Sequence, residues 1–209
     1  MDEAANTLSS RYARRRMEAD PTSAAPRRNI ELKSKCLDLV QAREAALRIG
    51  AREAGILEQT DTYFHCTTGR LKLRETAGRP AELIAYARAD EPDVRASAYH
   101  LVPVPEPGPL KRSLASALGV RVVVIKRRRL LLWHNVRIHL DEVEGLGSFV
   151  EFEAVMGEGE DEPTAYERIA TLADALALQP GDRISTSYGE LMSAAASAPP
   201  PAPSRGGDG

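Results

Sequence analysis

The chain has 209 residues, of which 28 are basic and 30 are acidic, so its formal net charge is −2. This near-neutral balance gives no reason to expect a nucleic acid or an anionic membrane as the partner. An apolar fraction of 43% is ordinary for a globular protein and supports a hydrophobic core.

The N-terminal segment does not resemble a secretion signal. Residues 1–20 lack the apolar stretch of a signal peptide, and no run approaches the roughly 18 apolar residues of a membrane helix. We therefore expect a cytoplasmic protein with reduced thiols at Cys36 and Cys66. His65 precedes Cys66, but no second spaced pair completes a zinc site, so packing is the better interpretation of both cysteines.

The two ends of the chain differ in composition from its middle. Residues 1–28 are rich in Ala, Ser and Arg and show no sustained apolar period. Residues 193–209 form a low-complexity segment of Ala, Pro and Gly. We predict disordered tails over 1–28 and 193–209, and one domain over 29–192.

The domain opens with a strand at 29–35, in which apolar and polar residues alternate. The next segment is rich in Ala, Leu, Arg and Glu and predicts a helix that begins at Leu37 and ends near Gly50 or Gly55. A short strand is predicted over Gln59–Cys66, where Tyr and Phe are adjacent.

The middle of the domain alternates strands with turn residues. The strand after Gly69 has a wholly basic polar face, and further strands are predicted over 82–88 and 95–99. A proline-rich connection at 103–109 leads to a short helix over 110–118, which a glycine closes.

The last third contains the clearest pattern of the chain. A Val-rich strand is predicted over 121–128, and strict alternation over 135–153, interrupted by two glycines, predicts a β-hairpin. A second long helix over 164–178 begins after a proline, and residues 188–192 close the domain. The strands come mainly as neighbours in sequence, which favours an antiparallel sheet of about eight strands with about three helices.

Two interpretations of the hairpin stay open on these patterns. Its charged face could meet water, as in an ordinary two-sided sheet. Alternatively, the strands could close into a barrel with a polar lumen, because other strands repeat the design with charge of the opposite sign.

Several motifs, in order along the domain, resemble one known family. They are N-I-E-L-K at 29–33, L-K-L-R-E at 71–75, V-x-K-x-R at 124–128 and R-I-H-L-D-x-V-x-G-L-G-x-F-x-E-F-E at 137–153. They resemble the CYTH domain family, the triphosphate tunnel metalloenzymes, and S-Y-x-x-L-M at 187–192 is similar to its class IV adenylate cyclase-like branch. The resemblance implies an α+β fold, an eight-stranded antiparallel β-barrel with a charged tunnel and flanking helices.

One position departs from the family pattern. The family motif opens with E-x-E-x-K, and here Asn29 stands at the first Glu, whereas Glu31 and Lys33 match the rest. The change removes one carboxylate from the metal site that the resemblance implies.

The resemblance also implies a set of basic residues for the substrate. A triphosphate carries about four negative charges near neutral pH, so several cations must share one concave surface to bind it. Strand parity and the resemblance together assign this role to Lys33, Lys72, Arg74, Arg88, Arg95, Lys126, Arg128 and Arg137. We assign four other basic residues to the solvated surface: Lys35, Arg70, Arg127 and Arg129. His139 shares a face with Arg137 and is predicted to contact phosphate or orient a ligand, although an ordinary hydrogen-bonded histidine explains it equally well.

Four carboxylates are predicted to bind metal. Glu31, Glu151 and Glu153 match the family's metal ligands, and Asp141 is the fourth candidate. Glu151 and Glu153 lie side by side on one strand face, and carboxylates combined with phosphate oxygens suit Mg²⁺ or Mn²⁺. The alternative is that both residues only form ion pairs with the tunnel arginines.

These features predict a metal-dependent enzyme that acts on a small-molecule triphosphate, with Glu31, Lys33, Arg137 and Glu153 as catalytic residues. The leading activity is that of a class IV adenylate cyclase, which converts ATP to cyclic AMP and pyrophosphate. Hydrolysis of inorganic, nucleoside or thiamine triphosphate is the second, and a phosphate-binding module weakened by Asn29 is the third. A homodimer is compatible with each.

Overall fold

Eight antiparallel strands close into a barrel in the computed structural model, which describes residues 27–88, 94–157 and 159–197. The strands are β1 (Arg27–Lys35), β2 (Arg52–Phe64), β3 (Arg70–Thr76), β4 (Ala81–Arg88), β5 (Arg95–Val104), β6 (Val120–Trp133), β7 (Val136–Val143) and β8 (Gly147–Met156). Their order around the barrel is β1-β5-β4-β3-β2-β6-β7-β8, and β8 pairs again with β1. The predicted eight-stranded antiparallel barrel is therefore confirmed.

Four α-helices flank the barrel within the described residues. They are α1 (Leu39–Arg48), α2 (Pro107–Leu118), α3 (Glu162–Ala175) and α4 (Tyr188–Ser197). Asp38 begins α1, because its side chain accepts a hydrogen bond of 2.9 Å from the Gln41 backbone, and Asp161 does the same for Thr164 in α3. In the described part of the chain, no helix is both long enough and apolar enough to cross a membrane.

The first helix begins two residues after its predicted start and ends near Gly50, the earlier of its two predicted ends. Gly50, at φ 89°, ends it in a Schellman motif, in which Gly50 N donates to Leu47 O and Ala51 N donates to Ala46 O. The chain then enters β2 at Arg52, and a bulge between Glu53 and Gly55 keeps that strand paired with β6. The backbone pairing of the 13-residue strand β2 with β6 stabilises the extended conformation more than helix propensity favours a helix in the Ala-containing segment at 51–54.

Other boundaries also differ from the predicted ones. The predicted proline-rich connection at 103–109 is strand as far as Val104 and helix from Pro107, because proline is compatible with the first turn of a helix. The barrel begins at Arg27, two residues before the predicted start of the domain. Helix α4 continues to Ser197, past the predicted end at 192, whereas most of both predicted tails lies outside the described residues.

The main hydrophobic core lies outside the barrel. Alternate residues of a strand face opposite sides of the barrel wall. The outward side chains of β1, β7 and β8 pack under α1 and α3 in one cluster, whose buried members include Ile30, Leu32, Ile138, Leu140, Val150, Phe152, Ala46, Ile169 and Leu172. Truncation of a fully buried phenylalanine such as Phe152 to Ala typically costs about 3–5 kcal/mol. Burial of these apolar side chains under the helices therefore determines which face of β1, β7 and β8 points outward. The opposite face is thereby left to the lumen.

A smaller apolar cluster closes one end of the lumen. It is formed by Tyr63, Val124, Val143, Phe149 and Tyr188, the last of which begins helix α4. The Phe149 and Tyr188 rings lie 5.0 Å apart between centroids. Helix α4 therefore covers the barrel end and places its first residue beside the charged interior.

Candidate functional site

The lumen contains a cavity lined by charged and aromatic side chains. Five basic residues, Lys33, Lys72, Arg74, Arg128 and Arg137, and three carboxylates, Glu31, Glu151 and Glu153, are among its lining residues. A second cavity shares Arg74, Arg128, Arg137 and Glu153 with the first, so these four side chains face both. The empty space of the first cavity, counted together with the solvent at its mouth, is about 730 Å³.

Asp61 binds three of the lumen cations at once. Its carboxylate accepts from Lys126 Nζ at 2.7 Å and Lys72 Nζ at 3.0 Å, and from Arg74 Nε and Nη2 at 2.7 and 2.9 Å. Burial opposes the ionisation of Asp61, which is wholly inaccessible to solvent, but Arg74 and the two lysines outweigh it and hold its pKa well below the ordinary value. A charged aspartate therefore stands behind this part of the cavity wall.

Asp141 holds a second arginine in the same manner. Arg128 Nε donates to Asp141 Oδ1 at 2.7 Å and Arg128 Nη2 donates to Oδ2 at 2.6 Å. Burial opposes the ionisation of Asp141 too, but the Arg128 guanidinium lowers its pKa. Tyr188 donates a further hydrogen bond to Oδ2, at 2.8 Å. The oxygens of Asp141 are thus engaged by protein donors, and its predicted role in metal binding stays a prediction.

Glu151 contacts basic residues of two different strands, Lys33 on β1 and Arg128 on β6. Its Oε1 lies 3.1 Å from Lys33 Nζ, and its Oε2 accepts from Arg128 Nη2 at 2.8 Å. Burial opposes its ionisation, but Lys33, His139 and Arg128 outweigh this and hold its pKa well below the ordinary value. Lys33 Nζ also lies 3.9 Å from the centroid of the Tyr188 ring, within cation–π distance.

Among the residues that the structure describes, His139, Glu151 and Glu153 form a group that could hold a divalent cation. One ligand atom from each lies within 4.8 Å of the others. His139 is buried, and burial together with the nearby Arg128 lowers its pKa, so the imidazole is neutral near pH 7 and has a lone pair to offer. Two carboxylates and a neutral imidazole fit a divalent cation, with His139 in a ligand position for which the sequence predicted substrate contact.

The first strand faces the lumen as predicted. Asn29, Glu31 and Lys33 all line the first cavity, and Glu31 and Lys33 lie opposite Glu153 and Glu151 in the β1–β8 register. The Asn29 side chain is buried, and its Oδ1 has no hydrogen-bond partner among the described residues. Asn29 therefore lines the cavity at the position where the family motif places a carboxylate.

Most of the predicted basic set lies together, with three exceptions. Lys126 is wholly buried against Asp61 and lines neither lumen cavity. The side chains of Arg88 and Arg95 lie outside the described residues, so their predicted roles stay predictions. Arg70, which was assigned to the solvated surface, forms an ion pair of 2.6 Å with Glu190 and has 12% of its side chain exposed.

Sequence reasoning missed Asp61 and the aromatic part of the wall. Asp61 lies inside a predicted strand, where aspartate is uncommon, and this was the available signal. The cavity is also lined by Tyr63, Ile84, Tyr86, Tyr99 and Leu101 from β2, β4 and β5, and by Ser97 and Ser187. Only tertiary structure brings these residues to one surface.

A family model described as the CYTH domain matches residues 27–188. The chain belongs to the CYTH domain family. CYTH proteins are enzymes of the adenylate cyclase-like or triphosphatase type, and they act through a divalent metal in a triphosphate-binding barrel, which agrees with the lumen of this chain.

Solved structures share the CYTH fold with this chain. The PH1012 protein of Pyrococcus horikoshii is 24% identical, with a TM-score of 0.70, and the match covers 78% of this chain and 98% of that one. A protein of Vibrio parahaemolyticus, named as a candidate adenylate cyclase, is 21% identical with a TM-score of 0.66, over 79% and 97% of the two chains. A candidate adenylyl cyclase of Hippeastrum, described as having a dominant triphosphatase activity, is 15% identical with a TM-score of 0.53, over 83% and 98%. A comparison with curated proteins found no match.

Proposed function

We propose that this CYTH protein is a metal-dependent adenylate cyclase, which binds ATP in the barrel lumen and converts it to cyclic AMP and pyrophosphate. The observation that carries the proposal is the convergence of Lys33, Lys72, Arg74, Arg128 and Arg137 on one cavity. Against three carboxylates in the same lining, they leave an excess of two positive charges among the described residues. A buried surface of this kind suits a polyanion and has no evident use in a purely structural protein.

The acidic side of the cavity, formed by Glu31, Glu151 and Glu153, supports metal dependence. His139, Glu151 and Glu153 would hold Mg²⁺ or Mn²⁺, with Glu31 directly opposite Glu153 on the neighbouring strand. When bound, such an ion supplies charge neutralisation and orientation of phosphate oxygens. Arg74, Arg128 and Arg137 would bind the remaining negatively charged phosphate oxygens of the substrate.

The uncharged part of the cavity favours a nucleotide over an inorganic substrate. Tyr86 and Tyr99 are register partners on β4 and β5, and both line the cavity together with Ile84 and Leu101. Aromatic and aliphatic surface of this kind can contact a base or a sugar. In the cyclase reaction the ribose 3′-hydroxyl attacks the α-phosphorus and pyrophosphate leaves, which requires the nucleoside to lie inside the same cavity as the triphosphate.

Triphosphate hydrolysis is the second candidate, because the same cations and carboxylates would serve it. The Hippeastrum protein, which shares the fold, is described as having a dominant triphosphatase activity. Inorganic, nucleoside or thiamine triphosphate would then be the substrate and water the nucleophile.

A binding module without turnover is the third candidate, because Asn29 replaces one carboxylate of the family motif. We also propose a cytoplasmic location, where nucleoside triphosphates are abundant, and a homodimer is compatible with each reading.

The test is a product analysis. The protein is incubated with ATP and, separately, with tripolyphosphate, each with Mg²⁺ or Mn²⁺, and the products are separated by chromatography. Cyclic AMP together with pyrophosphate would support the cyclase, whereas release of orthophosphate would support the hydrolase. Calorimetric binding without any product would support the binding module, and absence of both binding and turnover would overturn all three.

A further inference from the structure

Asp61 stands apart from the carboxylates expected to hold metal. It lies on β2, is 0% exposed and lines neither lumen cavity, whereas two of its three cationic partners, Lys72 and Arg74, line the first cavity. A group in this position cannot touch a ligand in that cavity, but it can determine where its partners point.

We propose that Asp61 is a positioning residue that orients Arg74 and Lys72 for a triphosphate bound in the lumen; this inference rests on the proposed function. Asp61 thus acts through the two cations and not on the substrate itself.

The geometry of Arg74 is the first argument. A guanidinium has five N–H donors in a planar fork. Asp61 takes the Nε donor and one Nη2 donor of Arg74, at 2.7 and 2.9 Å. The remaining donors lie on the other edges of the same plane, and Arg74 lines both lumen cavities. Asp61 therefore fixes the plane of the guanidinium while leaving donors for phosphate oxygens.

The repetition of this arrangement is the second argument. Asp141 takes the same two donors of Arg128 on the other side of the lumen, at 2.7 and 2.6 Å. Both aspartates are wholly inaccessible to solvent, and both arginines line both cavities. Since an unheld arginine would have to lose side-chain freedom when it binds a ligand, two arginines held in advance reduce that entropic cost.

A simple counter-charge role for Asp61 makes the opposite prediction. If Asp61 only reduced repulsion among three buried cations, its removal at a pH low enough to keep Lys72 and Lys126 protonated would leave the lumen more positive, and a polyanion would bind more tightly. If Asp61 orients Arg74 and Lys72, its removal releases both side chains and binding weakens despite the added positive charge. The sign of the change in affinity therefore separates the two roles.

The experiment compares Asp61→Asn with the parent and with Glu75→Gln. Glu75 is the next residue after Arg74 on β3 and pairs with Lys111 at 2.6 Å outside the lumen, so it controls for loss of a carboxylate partner on the same strand. The dissociation constant for tripolyphosphate is measured by calorimetry at about pH 6, below the pKa values of both lysines, and at a temperature at which thermal melting shows each variant to be folded. We expect Asp61→Asn to raise it about tenfold or more and Glu75→Gln to leave it within about twofold of the parent.

Arg74→Lys is the second variant, which decides the matter if Asp61→Asn does not fold. It keeps the positive charge, but an ammonium cannot bind Asp61 through two donors of a rigid plane and present others of that plane to a phosphate. Weakening by about tenfold is expected here as well. Equal or tighter binding in either folded variant would overturn the positioning role. Failure of the parent to bind tripolyphosphate would instead overturn the proposed function.

Discussion

The hydroxyl of Tyr188 donates a hydrogen bond of 2.8 Å to Asp141 Oδ2, and this contact attaches the first residue of helix α4 to the wall of the lumen. Asp141 in turn holds Arg128, which lines the cavity. One side chain at the beginning of a terminal helix is thus coupled through a single carboxylate to the orientation of a lumen cation.

Tyr188→Phe tests this contact. The variant keeps the ring beside Lys33 and removes only the donor to a buried carboxylate, for which the expected loss is about 1–3 kcal/mol in the free energy of unfolding. Urea denaturation measures it, with Tyr166→Phe on the exposed side of α3 as the control, because 39% of that residue is accessible. Equal stability of the two variants would show that the hydrogen bond contributes nothing measurable.

Arg137→Ala tests the assignment of basic residues to the lumen. Removal of a buried charge-assisted contact should weaken tripolyphosphate binding by about 1.5–3 kcal/mol, and added salt should weaken the binding of the parent. Arg129→Ala is the matched control, because Arg129 lies on the outer face of the barrel and pairs with Glu53 at 3.2 Å. The lumen assignment would be wrong if titration calorimetry gave the two variants the same affinity.

The alternation of residues along each strand accounts for most of what the sequence could predict about the candidate site. Alternation alone put Glu31, Arg137 and Glu153 on one side of their strands, and in the barrel all three line the first cavity. The eight-stranded closure came from the resemblance, because alternation cannot distinguish a lumen from a face exposed to water. What parity gives is the face of a strand on which a residue lies.

Depth and partners within that face could not be predicted. Lys126 and Arg128 share parity on β6, but Lys126 is buried against Asp61 and lines neither lumen cavity. Asp61 lies inside the predicted strand over Gln59–Cys66, but its partners lie on β3 and β6, and alternation along one strand does not predict partners on others. Hydrogen bonding among three strands decides which cations meet which carboxylate, and no local pattern encodes it.

Lys126→Met tests the effect of pH on the lumen. Burial lowers the pKa of Lys126 to about 7, although Asp61 opposes the shift, and burial also lowers that of Lys72 to about 8. Both lysines are therefore charged at lower pH and lose their protons as pH rises through these values, which removes positive charge from the lumen. The affinity advantage of the parent over Lys126→Met should be largest below about pH 7 and should shrink above it.

Calorimetry with tripolyphosphate between about pH 6 and pH 9 gives this advantage as a ratio of dissociation constants, in which the titration of the ligand itself cancels. Lys35→Met is the control, because Lys35 is exposed at the end of β1. A ratio that does not change over this range would contradict the lowered pKa of Lys126.

Asn29 provides the test of the metal site. Its side chain faces the cavity beside Glu31, and its Oδ1 has no partner within the part of the chain that the structure describes. An amide oxygen can approach a cation but brings no negative charge, so a divalent ion beside it should be held less tightly than beside a carboxylate. We expect activity to saturate only at high Mg²⁺ or Mn²⁺, and Asn29→Glu to lower the metal concentration for half-maximal rate.

Asn29→Gln, which changes length without charge, should not lower it, and Glu31→Gln or Glu153→Gln should largely abolish turnover. The measurement is a metal titration of the initial rate for the parent and these variants, each shown by thermal melting to be folded. An Asn29→Glu curve on or to the right of the parent curve would show that position 29 does not contribute to the metal site.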